Sequence, residues 1–106
     1  MTAASDIVIT REGGAEGRYV ALLGGLSSVL TFTRIKRGRR DLMIVDHTGV
    51  PKALSGRGVG LALVARAVED ARAEGFRIVP HCSFVRVMLQ RRKDWHDVLA
   101  DQVRAT

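Results

Sequence analysis

Cysteine is almost missing from this chain: Cys82 stands alone, so no disulfide can form within it, and a lone thiol fits a reducing compartment. No apolar run approaches the roughly 20 residues that a membrane span needs. The first residues, MTAASD, lack the basic start and apolar core of a signal peptide. Together these absences make the cytoplasm the expected location. No His/Cys/carboxylate spacing suits a metal, and neither an internal repeat nor a low-complexity segment interrupts the sequence.

What is present is enough for one domain. The 106 residues, 46% of them hydrophobic, suffice for a single core but not for two, which makes residues 1–106 one expected domain. The net charge of +6 is local rather than general. Five of the 17 basic residues lie between Arg34 and Arg40 and three between Arg91 and Lys93; the rest are outnumbered by the 11 acidic ones. Such clusters draw in a nucleotide-bearing cofactor, an acidic substrate or nucleic acid. The plainer reading of the first is a solvated hairpin tip, and nucleic acid is not the favoured partner.

In order, Asp6 to Arg11 alternates apolar and polar residues as a strand does, and Glu12 to Gly17 reads as a turn. Arg18 to Leu23 is a second strand, closed by the tight Gly24-Gly25 turn. Leu26 to Lys36 follows, with Leu26, Ser28, Leu30 and Phe32 on one face. After the basic tip Arg37 to Arg40, Asp41 to Thr48 returns as a fourth strand. Short turns between all four imply an antiparallel meander.

A helix is expected over Gly58 to Glu74, where Val59, Leu63, Val64, Ala67, Val68 and Ala71 recur at helical spacing and Gly75 suits the position after its end. Arg77 to Cys82 reads as a fifth strand parallel to the fourth, with Pro80 at a strand end or edge. Ser83 is the expected cap of a short helix over Phe84 to Arg92, with Phe84, Val87 and Met88 sharing a face. Asp94 is the expected cap of a last turn that packs Trp95, Val98 and Leu99 on the core. Asp101 to Thr106 should fray. The fold class is therefore α/β (α+β).

The chain is organised around Asp46 to Leu61 (DHTGVPKALSGRGVGL), where Gly56, Gly58 and Gly60 alternate between a strand and a helix. Glycine lets main-chain N–H groups come close to a bulky anion. A helix start leaves such groups unpaired, in a field that favours negative charge. Strand, glycine loop and helix start in that order make a cradle for a diphosphate.

The ordered stretches His47-Thr48-Gly49-Val50-Pro51, Gly56-Arg57-Gly58-Val59-Gly60-Leu61, Ile78-Val79-Pro80-His81-Cys82-Ser83-Phe84-Val85 and Arg92-Lys93-Asp94-Trp95, spread over about residues 6 to 100, resemble the small YjdJ-type branch of the GNAT acetyltransferases. The resemblance implies a minimal GNAT fold: a four-stranded meander, a central helix, a fifth strand parallel to the fourth and a C-terminal helix. It implies acetyl-CoA, or coenzyme A, in a V-shaped opening between the fourth and fifth strands, and acetyl transfer to an amine that the sequence does not identify. The diphosphate would meet Gly56, Arg57, Gly58, Val59 and Gly60; the pantetheine arm would run beside Thr48, Gly49 and Val50. Three positions depart from the pattern. Ser55 replaces an Arg or Gln, and its hydroxyl is expected to cap the helix instead. Gly49 replaces a glutamate, and Met88 replaces the tyrosine that customarily protonates the leaving thiolate.

Acetyl transfer to an amine needs a neutral nucleophile, a polarised thioester carbonyl and a proton for the departing thiolate. Cys82 is a candidate nucleophile or proton donor, against the plainer reading of a small buried apolar residue. His47 is a candidate base, against a hydrogen-bonded structural role. Phe84 and Trp95 read as cofactor-wall or core residues rather than platforms for nucleic-acid bases. The departures at 49 and 88 keep a second class open: a coenzyme A-binding or protein-interaction module without catalysis.

Overall fold

Residues 6–100 are described by a computed structural model. They form β1 (Val8–Gly13), β2 (Glu16–Leu23), β3 (Leu26–Arg37), β4 (Arg40–Gly49), α1 (Val59–Glu74), β5 (Arg77–Pro80) and α2 (Ser83–Arg91). Short 3₁₀ turns lie at Lys52–Leu54 and Lys93–Val98. The expected fraying of Asp101 to Thr106 falls outside the described residues.

The sheet order is β1-β2-β3-β4-β5. Neighbours among the first four run antiparallel, and β5 runs parallel to β4, as α1 between them requires. Leu23 pairs with Leu26 across the two-residue Gly24-Gly25 turn, as expected. The other two hairpins are tighter than their sequences suggest: Arg37 pairs with Arg40 and Gly13 with Gly17, so those strands take in residues expected in the turns.

One face of the sheet carries the core. Tyr19, Ala21, Leu30, Phe32, Met43 and Val45 meet the buried side of α1, which is Val59, Leu63, Val64, Ala67, Val68 and Ala71, the six residues its periodicity selects. Full burial of each Val or Leu is worth about 1.5–3 kcal/mol. A polar anchor fixes the helix against the sheet: the Tyr19 hydroxyl, on a fully buried ring, donates to Asp70 Oδ2 at 2.6 Å. Arg11 and Arg66 bind the same carboxylate. Trp95, Val98 and Leu99 pack onto the core as expected. Leu99 also bridges to Ile78, and the Ala100 N–H donates to the Ile78 carbonyl at 3.0 Å, so Leu99 and Ala100 lie along the outer edge of β5.

Several expectations change. Cys82, not Ser83, holds the N-cap position of α2, and Arg92, not Asp94, that of the last turn. Gly58, not Ser55, is the N-cap of α1. The face of α2 that enters the core carries Val85 and Leu89, while Phe84 and Val87 are exposed. The basic run is a hairpin tip, yet Arg34 is no solvated charge. Its guanidinium binds Asp41 through two bonds of 2.9 Å, reaches Glu74, and lies 4.0 Å from the centre of the Phe76 ring.

Candidate functional site

β4 and β5 separate where the site begins. Their parallel ladder runs from Leu42 and Arg77 to Val45 and Pro80. Beyond it β4 continues through Asp46 to Gly49 without a partner on that side, while the N–H groups of His81 and Cys82 both turn back to the Val45 carbonyl, at 3.0 and 3.1 Å. The result is a fork. Its free strand edge offers main-chain groups to an amide-bearing ligand.

A bulge decides which β4 side chains enter the fork. Phe32 pairs with Val45 but Thr31 pairs with His47, so Asp46 is an extra residue. Side chains alternate along a strand and cross-strand partners share a face. Without the bulge, Val45 and His47 would both face the core. The added residue reverses the parity. Thr48, paired with the buried Leu30, turns to the helix side, and His47, paired with Thr31, turns to the other. Cys82 accordingly meets Thr48: Thr48 Oγ1 and Cys82 Sγ are 3.4 Å apart. The two expected catalytic side chains, Cys82 and His47, are not brought together. The sequence signal for this was the adjacent polar pair Asp46-His47, which breaks the alternation of β4.

Cys82 is partly buried. Burial raises its pKa, but the Thr48 hydroxyl and main-chain hydrogen bonds from Val85, Phe84 and Thr48 act the other way, and the net direction is down from the ordinary thiol value. A thiol so placed carries more thiolate, the nucleophilic form, at neutral pH.

Beside the fork the glycine loop opens into a cleft of about 310 Å³, lined by Val50, Leu54, Ser55, Gly56, Gly58, Val59, Gly60, Leu61, Phe84 and Met88. Six of the eight expected cofactor-binding residues are there. Arg57 is exposed beside the cleft, and Thr48 lies at Cys82. The first helical bond of α1 runs from the Ala62 N–H to the Gly58 carbonyl at 3.0 Å. The N–H groups of Val59, Gly60 and Leu61 precede it and have no partner within the helix. Gly58 sits at φ 80°, in the left-handed region, which sets the loop's entry into the helix. Gly60 serves close approach: a Cβ there would stand 2.6 Å from the tip of the Phe84 ring.

Donors without acceptors, an apolar wall, and no acidic residue among the lining suit a diphosphate joined to a largely apolar arm. The residues present therefore fit coenzyme A. Among the described residues no group of three metal-binding side chains occurs, and no helix is long and apolar enough to cross a membrane.

The family model for GCN5-related N-acetyltransferases matches residues 18–98. The chain belongs to that family. As a whole, this acetyltransferase domain is similar to the solution NMR structure of a GCN5-like protein from Staphylococcus aureus, with 28% identity and a TM-score of 0.66; the match covers 91% of this chain and 90% of that one. No curated protein matches the domain. The expected fold, a meander with a crossover helix and a parallel fifth strand, is the fold observed. The chain is thus an acetyltransferase domain of unidentified acceptor.

Proposed function

We propose that this domain binds acetyl-CoA along the glycine loop and the fork and passes the acetyl group to an amine, with Cys82 as the acetyl-carrying nucleophile. The N–H groups of Val59, Gly60 and Leu61 hold the diphosphate, Val50 and the free edge of β4 guide the pantetheine arm, and Phe84 walls the cleft. Acetyl-CoA supplies an activated acyl group as a thioester. Cys82 Sγ, as thiolate, takes that group: its bond to the acetyl carbon forms as the carbon's bond to the coenzyme's sulfur breaks. Cys82 then yields the group to a neutral amine; the C–N bond forms, the bond to Sγ breaks, and a proton from the amine returns to the sulfur. Thr48 is a positioning residue that holds Sγ at 3.4 Å and favours its charged form. The observation that carries this reading is the open fork with Cys82 at its apex. A cytoplasmic setting, where the thiol stays reduced, belongs to the same reading.

A second reading has one observation in its favour. Met88 lines the cleft where a proton-donating tyrosine is usual, and Gly49 supplies no carboxylate. On that reading the domain holds the coenzyme without turning it over. Incubation with acetyl-CoA followed by intact-mass analysis separates the two. An acetyl adduct on the wild type that disappears in Cys82→Ala, and that an added amine discharges, supports the transfer reading. Calorimetric binding with no adduct and no acetylated amine supports the idle one.

A further inference from the structure

The basic run at the β3–β4 hairpin takes no part in the acetyl-transfer site. Beside it lies a separate recess of about 230 Å³, lined by Arg39, Arg40, Asp41, Gly75 and Arg77. The fold assembles it from distant parts of the chain. β4 and β5 run parallel with Leu42 level with Arg77, so both strands start at one end of the sheet, next to the end of α1 at Gly75. A Cβ on Gly75 would meet nothing within 4 Å, which leaves that side of the recess open. The coenzyme cradle is at the other end of α1, whose 16 residues span about 24 Å.

The recess carries positive charge with nothing to balance it. Arg39, Arg40 and Arg77 are exposed and make no ion pair among the described residues. The neighbouring acids are committed elsewhere. Both Asp41 oxygens accept from Arg34 at 2.9 Å, and Glu74 binds Arg11 and Arg34. Asp97, whose charge Arg77 also feels, binds Arg72 at 2.8 Å. Arg40 is moreover paired across the turn with Arg37, and like charges directly opposite each other destabilise a sheet. The carbonyl end of α1 favours one nearby cation, not a group of them. A solvated hairpin tip explains Arg39 and Arg40 but not Arg77, which another strand supplies. Guanidinium groups around one opening suit an oxyanion, since each offers a planar fork of donors. No aromatic or apolar residue lines the recess, so nothing there would hold a base or an acyl chain. Its volume takes a phosphate group and a few waters, each water filling about 30 Å³. Three cations favour a dianion over a singly charged carboxylate.

We infer that this recess is a phosphate site, separate from the coenzyme cradle, which takes inorganic phosphate or the phosphate end of a small monoester through Arg39, Arg40 and Arg77. The test is a titration of ¹⁵N-labelled protein, read by two-dimensional NMR at fixed pH and with ionic strength held constant by chloride. The probes are inorganic phosphate, glycerol phosphate and, as the singly charged comparison, acetate. Phosphate should move the amides of Arg39 to Asp41 and Gly75 to Arg77 to saturation, with a Kd on the order of 1 mM. Acetate should bind at least about tenfold more weakly. Glycerol phosphate matching phosphate supports a site that reads the phosphate alone, and tighter binding supports a monoester as the occupant. Arg40→Gln and Arg77→Gln should each weaken phosphate binding by about three- to tenfold. Arg91→Gln removes the same charge from α2 and should leave it unchanged. Shifts that grow without saturating, acetate acting as strongly as phosphate, or an equal loss in Arg91→Gln overturns the inference. A single-stranded oligonucleotide that binds far more tightly than phosphate, with a steep salt dependence and shifts spread over Lys36 and Arg37, overturns it in favour of a nucleic-acid surface.

Discussion

Replacing Gly58 with alanine isolates the backbone contribution at the centre of the site. Gly58 is the N-cap of α1 at φ 80° and makes no side-chain cap bond. A Cβ at this position would find nothing within 4 Å, so neither a clash nor a lost contact adds to the cost. What remains is the left-handed conformation, roughly 1–2 kcal/mol for an alanine. For a domain of this size each kcal/mol lowers Tm by about 4–8 °C. Gly58→Asn should lose clearly less, because asparagine tolerates the left-handed region and is a good N-cap. Thermal and urea unfolding followed by circular dichroism measure both variants. Calorimetry with acetyl-CoA on the same proteins should show the alanine variant weaker by up to about tenfold, since binding must restore the loop at a cost near 1.4 kcal/mol. If alanine leaves stability unchanged, or if asparagine costs as much as alanine, the conformational reasoning is wrong.

Other expectations follow from the polar contacts. Asp70→Ala leaves the buried Tyr19 hydroxyl without its acceptor and should cost about 2–3 kcal/mol, whereas Tyr19→Phe leaves Asp70 with two guanidinium partners and should cost about 1 kcal/mol. The double variant should cost less than the sum by urea denaturation, and strict additivity would contradict the anchor. Thr48→Val removes a hydrogen bond that lowers the Cys82 pKa, so the pH midpoint of iodoacetamide alkylation should rise; an unmoved midpoint rejects the pairing. Hydrogen bonds from Arg11 hold the Glu74 carboxyl below its ordinary pKa against a smaller opposing effect of burial, and Arg34 adds to the lowering. Its contribution to stability is therefore complete above the unfolded pKa of about 4.3 and fades as pH falls through the lower folded value. Glu74→Gln should flatten that acid branch in pH-dependent melting, and an unchanged slope would count against the network.

Much of this fold is legible in the residues because short-range rules set it. The 3.6-residue recurrence of Val59, Leu63, Val64, Ala67, Val68 and Ala71 names the buried side of α1, and Gly24-Gly25 names a two-residue turn. The site is less legible because tertiary geometry sets it. One inserted residue at Asp46 sends Thr48 rather than His47 toward Cys82, and strict alternation gives the wrong partner. A run of five basic residues conceals that Arg34 is drawn beneath the tip by Asp41, Glu74 and Phe76, which lie 7, 40 and 42 positions away. At α2 two stripes are possible, and composition favours the one with phenylalanine. The core instead takes Val85 and Leu89, since Cys82 fixes the helix start with Phe84 turned toward Gly60. The glycine loop is legible in both respects: its residues line the cleft, and only the identity of the cap differs.

The central claim is that unpaired amides at the start of α1 hold the diphosphate of coenzyme A. A titration of ¹⁵N-labelled protein with coenzyme A, read by two-dimensional NMR, tests it residue by residue. The amide signals of Gly58, Val59, Gly60 and Leu61 should move together and saturate, with Thr48 to Val50 following along the free edge of β4. Saturating ligand that leaves those four amides in place, or that moves only the hairpin tip at Arg37 to Arg40, would contradict it.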